Sequence, residues 1–175
     1  MAKISNTGIY PNIDPVLADY FILTDGSDDL ATKTCTLTAL QKLFNLDVTS
    51  TTVTVSSVLL NVLATQDFEL LAAPGSGYVL DIQKIIVFMN PGSIVYDFDS
   101  VGTIDMGSLA TGDITTATLN SATDYVASVF NGTGAAQIPE NTALILSKAG
   151  DNPTEGNGVL YVNITYRTLK LDSTF

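Results

Sequence analysis

The chain has 175 residues, seven Lys and Arg against eighteen Asp and Glu, no histidine, and a formal net charge of −11 at pH 7. Without histidine there is no Ser-His-Asp triad, no HExxH zinc site and no His-carboxylate iron site, and a lone Cys35 excludes a disulfide framework or a thiolate-only zinc cage. A chain this acidic repels phosphate backbones and anionic membrane surfaces, so neither nucleic acid nor membrane is an expected partner. The length suits one domain with an appended arm, and a chain of this size buries roughly two-thirds of its unfolded surface without a covalent staple. Cys35 reads as a small packed residue or a bland surface thiol, because nothing nearby can activate it as a nucleophile.

The opening stretch "MAKISNTGIYPNIDP" has no apolar core of a signal peptide, and no window is long and apolar enough to span a membrane. Synthesis in a cytoplasm is therefore the expectation. The sequons at Asn131 and Asn163 read as chance matches. Residues 1–48 are expected to form an irregular arm followed by a short helix. Gly8, Pro11 and Pro15 hold residues 8–16 extended and poorly self-paired. Ile9, Tyr10, Ile13, Val16 and Leu17 show no periodicity and cannot bury themselves, so the arm is expected to lie on its own domain, a neighbouring subunit or a partner.

Next comes "DGSDD", Asp25–Asp29, which reads as a polar turn leading to the helix. It lacks the glycine and glutamate spacing of a calcium loop. "TALQKLF" begins with Thr38 three residues before Gln41, a capping-box spacing, and Leu37, Leu40, Leu43 and Phe44 follow helical periodicity. This predicts a helix over residues 38–45.

From residue 49 to 175 the pattern changes to period two. Val53 and Val55 alternate with Thr52, Thr54 and Ser56, and Phe68 and Leu70 alternate with Asp67 and Glu69. In "YVLDIQKIIVFM" the alternation places Tyr78, Leu80, Ile82, Ile86 and Phe88 on one face, interrupted at Lys84. Both faces turn apolar near Val87 and Met89, which predicts a central strand covered on both sides. "DYVASVF" and "TALILSK" supply shorter strands. "VLYVNITYRTL" places Leu160, Val162, Ile164 and Tyr166 inward, with Asn163, Thr165 and Arg167 outward. Threonine occurs 23 times, which suits strands. Pro74–Gly77, Asn90–Gly92, Asn131–Gly132, Ile138–Asn141 and Gly150–Pro153 separate the runs. Some eight short strands without helical patterns between them predict an all-β fold: an antiparallel, jelly-roll-like sandwich over 49–175.

Candidate chemistry is sparse. "PGSGYVL" lacks the third glycine of a dinucleotide fingerprint and the Lys-Ser/Thr of a P-loop, and a strand follows it, so it reads as a turn. Asp97 and Asp99 in "YDFDS" read as sharing one strand face towards solvent, and they are the least improbable acid pair for a hydrolase. No catalytic, metal or cofactor residue is nominated.

Two stretches together resemble structural proteins of tailed bacteriophages. "DYFILTDGSDDLATKTCTLTALQKLFN" is similar to an amino-terminal segment that recurs in them. "LLAAPGSGYVLDIQKIIVFMN" with "NTALILSKAGDNPTEGNGVLYVNITYRTL" resembles the sandwich domain of phage capsid decoration and head-fibre proteins. The resemblance implies a non-enzymatic virion protein on the capsid surface, with no cofactor. Such a protein is often a trimer, and it cements the shell by gripping the major capsid protein through its arm. The alternative is a fibre or tail-associated module that binds a receptor or glycan through exposed aromatics, for which Tyr96, Tyr125 and Phe130 are the candidates. Residues 93–135 carry no such resemblance.

Overall fold

The computed structural model describes residues 20–25, 31–43, 48–107, 109–129 and 138–171. The chain divides into two compact units, Met1–Asp47 and Val48–Phe175. The arm residues Ile9, Tyr10, Ile13, Val16 and Leu17 lie outside the described residues, as do residues 26–30 of the Asp-rich stretch.

In the first unit, β1 (Tyr20–Asp25) pairs antiparallel with β2 (Ala31–Thr36), and α1 (Leu37–Leu43) follows directly. The hairpin was not expected from the sequence, where "DYFILTD" and "ATKTCT" read as irregular. The register pairs Tyr20 with Thr36, Ile22 with Thr34 and Thr24 with Thr32, and β-branched residues favour strands. The helix also starts earlier than Thr38. The Thr36 hydroxyl accepts a hydrogen bond from the Ala39 N–H at 3.1 Å, so Thr36 caps the helix. Cys35 is a free, partly buried thiol on β2.

Among the described residues, the second unit is a sandwich of eight strands in two antiparallel four-stranded sheets. The strands are β3 (Thr49–Val55), β4 (Phe68–Leu71), β5 (Tyr78–Asn90), β6 (Gly102–Met106), β7 (Leu109–Ile114), β8 (Tyr125–Ser128), β9 (Leu144–Lys148) and β10 (Val159–Lys170). One sheet runs β3-β10-β5-β8 and the other β4-β9-β6-β7. Pairing is nested: first strand with last, second with second-last, third with third-last, and the middle two with each other. That order makes the sandwich jelly-roll-like, a long hairpin rolled into two layers. Strands β6 and β7 come from the stretch without strong sequence signals. Two single-turn helices, α2 (Ser57–Leu60) and α3 (Thr116–Leu119), were also not foreseen, since four residues are too few to show a helical period.

The inner faces make one core. Val55, Leu60, Ile85, Val87, Met89, Ile104, Ile114, Leu119, Leu144, Leu160, Val162 and Ile164 are all fully buried. Strand β10 follows the expected alternation, with Leu160, Val162 and Ile164 inside. Strand β5 does not. Its register against β10 steps from Thr165↔Lys84 to Tyr166↔Ile82, leaving Gln83 as the extra residue of a bulge. One extra residue moves every later side chain to the opposite face. Leu80 and Ile82 point inward before the bulge, and Ile85, Val87 and Met89 point inward after it. Ile86 and Phe88, expected on the same face as Leu80 and Ile82, therefore lie on the outer face and remain partly exposed. The expectation of a strand fully covered on both sides is corrected accordingly: the opposite sheet covers one face.

Candidate functional site

Asp97 and Asp99, the acid pair singled out in the sequence, lie where loop 149–158, running from β9 in one sheet to β10 in the other, meets loop 91–101 after β5. Tyr96 and Phe98 anchor the second loop in the core, 3% and 4% exposed, with ring centroids 5.1 Å apart. Their burial turns Asp97 and Asp99 outward from a loop, not from a strand as expected. Neither carboxylate is idle. Asp97 Oδ1 accepts from the Thr154 N–H at 2.7 Å, and its Oδ2 accepts from the Thr154 hydroxyl. The Thr154 hydroxyl, with the backbone N–H groups around it, holds Asp97 below the usual carboxylate range.

Asp99 meets Lys148, whose side chain is fully buried at the end of β9. The ammonium donates to Asp99 Oδ1 at 2.5 Å, to Ala149 O at 2.9 Å and to Asp151 O at 2.6 Å. Three donors meet three acceptors, which is the complete complement of a lysine ammonium. It also sits 5.8 Å from the centre of the Phe98 ring. The hydrogen bond from Lys148 lowers the Asp99 pKa.

Further bonds fasten the same two loops. The Tyr96 hydroxyl donates to Gly158 O at 2.9 Å, and burial pushes its phenol up to about 12. Asn157 Oδ1 accepts from the N–H groups of Ser93 and Ile94, both at 2.9 Å. Asn152 Oδ1 accepts from Ala64 N–H at 2.8 Å and ties in the segment after α2. Gly156 has φ +135°, and a Cβ there would lie inside the Tyr96 ring. Glycine is required on both counts.

The glycine loop after β4 is closed in the same way. Gly75 and Gly77 adopt φ of +102° and +81°. Their N–H groups, which a phosphate would need, donate instead to Asn141 Oδ1 at 2.9 Å and Glu140 Oε1 at 2.6 Å. The loop is a turn clamped by its neighbour.

Chemically, this arrangement binds loop to loop. Among the described residues no group of three or more His, Cys, Asp or Glu is placed to hold a metal ion, and no helix is long and apolar enough to cross a membrane. Of the three aromatics considered for ligand stacking, Tyr96 is buried, Tyr125 is 41% exposed on β8, and Phe130 lies outside the described residues. Lys148 is the residue that the sequence reading missed; a single lysine ending an apolar strand gives no sign that its partner lies 49 residues away.

No family model matches the chain, and no curated protein matches it. Among solved structures, a chain from "Cyanophage Pam1 capsid asymmetric unit" aligns at 13% identity with a TM-score of 0.45, covering 69% of this chain and 82% of that chain.

Proposed function

We propose that this protein is a non-enzymatic virion component that decorates a bacteriophage capsid, its amino-terminal arm binding the major capsid protein. The observation that carries the reading is that, among the described residues, the acid pair and the glycine loop considered for chemistry are engaged within the protein itself. Asp97, Asp99, Lys148 and the Gly75–Gly77 amides are all engaged by the protein's own loops. What remains is a firmly tied scaffold and an apolar arm. The motif resemblance to phage decoration and head-fibre proteins supports the same reading. Many weak arm contacts on one shell would add up through avidity. The arm is assigned its role through Ile9, Tyr10, Ile13, Val16 and Leu17, and the virion is the assigned location.

The test is co-sedimentation of the full-length chain with capsid shells. Replacing Ile9 and Ile13 with Asp should abolish attachment while leaving the far-UV circular dichroism and melting temperature of the sandwich in place. Undiminished attachment would remove the arm from the mechanism. The receptor-binding alternative is less well supported, because Tyr96 is part of the core.

A further inference from the structure

The joint between loops 91–101 and 149–158 closes over a chemically fragile pair of residues. Asn157 is followed by Gly158, and an asparagine that precedes glycine is prone to lose its side-chain amide. The Gly158 nitrogen, unshielded by any side chain of its own, can reach Asn157 Cγ and close a five-membered ring. Here the fold restrains both partners. Asn157 Oδ1 accepts from the Ser93 and Ile94 N–H groups, and its Nδ2 donates to Ser93 Oγ, all at 2.9 Å. Both lone pairs of the amide oxygen and one of the two amide donors are thereby used. The Asn157 N–H donates to Ile94 O at 3.2 Å, and Gly158 O receives the Tyr96 hydroxyl at 2.9 Å. Gly158 is packed so tightly that a Cβ on it would lie 2.5 Å from Asn90 O. Asn157 itself is exposed, so burial does not protect it from water. Its hydrogen bonds do.

We propose that Asn157–Gly158 is a conformationally gated deamidation site, silent while the two loops are joined and converted in copies whose joint has opened. To turn Cγ toward the Gly158 nitrogen, the side chain must leave Ser93 and Ile94 together, which local opening of the loops permits. In the open loop the Gly158 nitrogen attacks Asn157 Cγ. The N–Cγ bond forms, the Cγ–Nδ2 bond breaks, and ammonia leaves with the Gly158 amide proton. Water then opens the ring. Addition at Cγ breaks the new N–Cγ bond and gives aspartate. Addition at the Asn157 main-chain carbonyl breaks its bond to the Gly158 nitrogen and gives isoaspartate, whose chain runs through Cγ. No oxidant or reductant is needed. Isoaspartate lengthens the main chain by one carbon between the Asn157 N–H, held by Ile94, and the Gly158 carbonyl, held by Tyr96. The tight packing around Gly158 leaves no room for that insertion, so the joint does not reclose in register. The device is one-way: a copy that stays open long enough is marked and remains loosened. It stands independently of capsid attachment.

The experiment is peptide mapping by mass spectrometry of the full chain after incubation at mildly alkaline pH, reading the amide-to-acid mass gain and isoaspartate at residue 157. An Asn131→Gln background removes the other Asn-Gly pair of the sequence, which lies outside the described residues. Conversion should be about 100-fold slower in the folded chain than in guanidinium chloride. Tyr96→Phe removes the bond to Gly158 O and leaves residues 156–158 unchanged. It should accelerate conversion of the folded chain by roughly fivefold, with circular dichroism showing it folded. Copies converted in denaturant and returned to buffer should unfold at lower denaturant than unconverted copies. Equal rates at residue 157 in the folded and denatured chain overturn the proposal. So does a Tyr96→Phe rate equal to that of wild type, or a converted chain whose unfolding midpoint is unchanged.

Discussion

On one outer face of the sandwich a cross-strand row reads Val126, Phe88, Tyr161; on the other it reads Glu69, Ile145, Asp105. The inner faces behind these rows are interchangeable in kind, Val87 and Val162 on one side and Ile104 and Leu146 on the other. Folding needs only the inner faces to be apolar, so their similarity reflects stability. Nothing in folding requires the outer faces to differ. Solubility acts on the outer faces, and the acidic sheet serves it.

The sheets are joined through loop 149–158, and the sharpest way to break the comparison is to break that joint. Gly156→Ala forces a methyl into the Tyr96 ring at a φ that side chains rarely adopt, and should cost about 4 kcal/mol in urea unfolding. A single cooperative transition at lower urea would show that the sheets melt as one body. Two transitions would show that the joint alone held them together. Next in size, Ile104→Ala and Ile164→Ala remove equivalent fully buried side chains from opposite sheets, and each should cost about 3 kcal/mol. A large inequality between them would mean that the two inner faces are less alike than their burial suggests.

The smallest effect concerns charge on the acidic face. Burial, opposed by the Ser147 hydrogen bond and reinforced by Asp67, raises the Asp105 pKa. A raised carboxylate pKa means that the folded state binds its proton more tightly than the unfolded state does. The stabilising contribution is therefore present at acid pH and lost as pH rises through the folded pKa. Asp105→Asn should gain roughly 0.5 kcal/mol at pH 7, and the gain should shrink on acidification. Asp97 and Asp99 have the opposite sign. Their pKa values are lowered, so their contribution is present at neutral pH and lost as pH falls through the folded pKa. Melting curves of Asp97→Asn and Asp99→Asn between pH 7 and pH 3 should accordingly be flatter than the wild-type curve. Equal slopes would sever these residues from acid stability.

Much of the sandwich is legible in the sequence because alternation reports burial directly. Strands β3 and β10 follow it residue by residue, from Val53 and Val55 to Leu160, Val162 and Ile164. Legibility stops where a structural event belongs to pairing and leaves no mark in composition. The bulge at Gln83 exists only against β10, so the alternation extrapolated across Lys84 gave Ile86 and Phe88 the wrong face. Strands β6 and β7 are short and hold Gly102 and Gly112, which weaken a strand signal. The first-unit hairpin was hidden by its polar threonines. For the candidate site, the outcome of the Gly75–Gly77 loop was readable from its missing lysine and following strand. The partners of Asp97, Asp99 and Lys148 were not, because those contacts join segments 49 or more residues apart.

Strand β10 lies between β3 and β5, making the last strand of the sandwich the middle of its sheet. A ribosome that has delivered every residue up to 158 has still produced no complete sheet from β3, β5 and β8. Thr52 must wait for Asn163, 111 positions later, before its side chain finds its hydrogen-bond donor. Such long-range closure slows folding and defers it until β10 has been made. A prematurely terminated copy would lack the strand that joins β3 to β5, so unfinished chains are open to proteolysis before they compete for a place in any assembly.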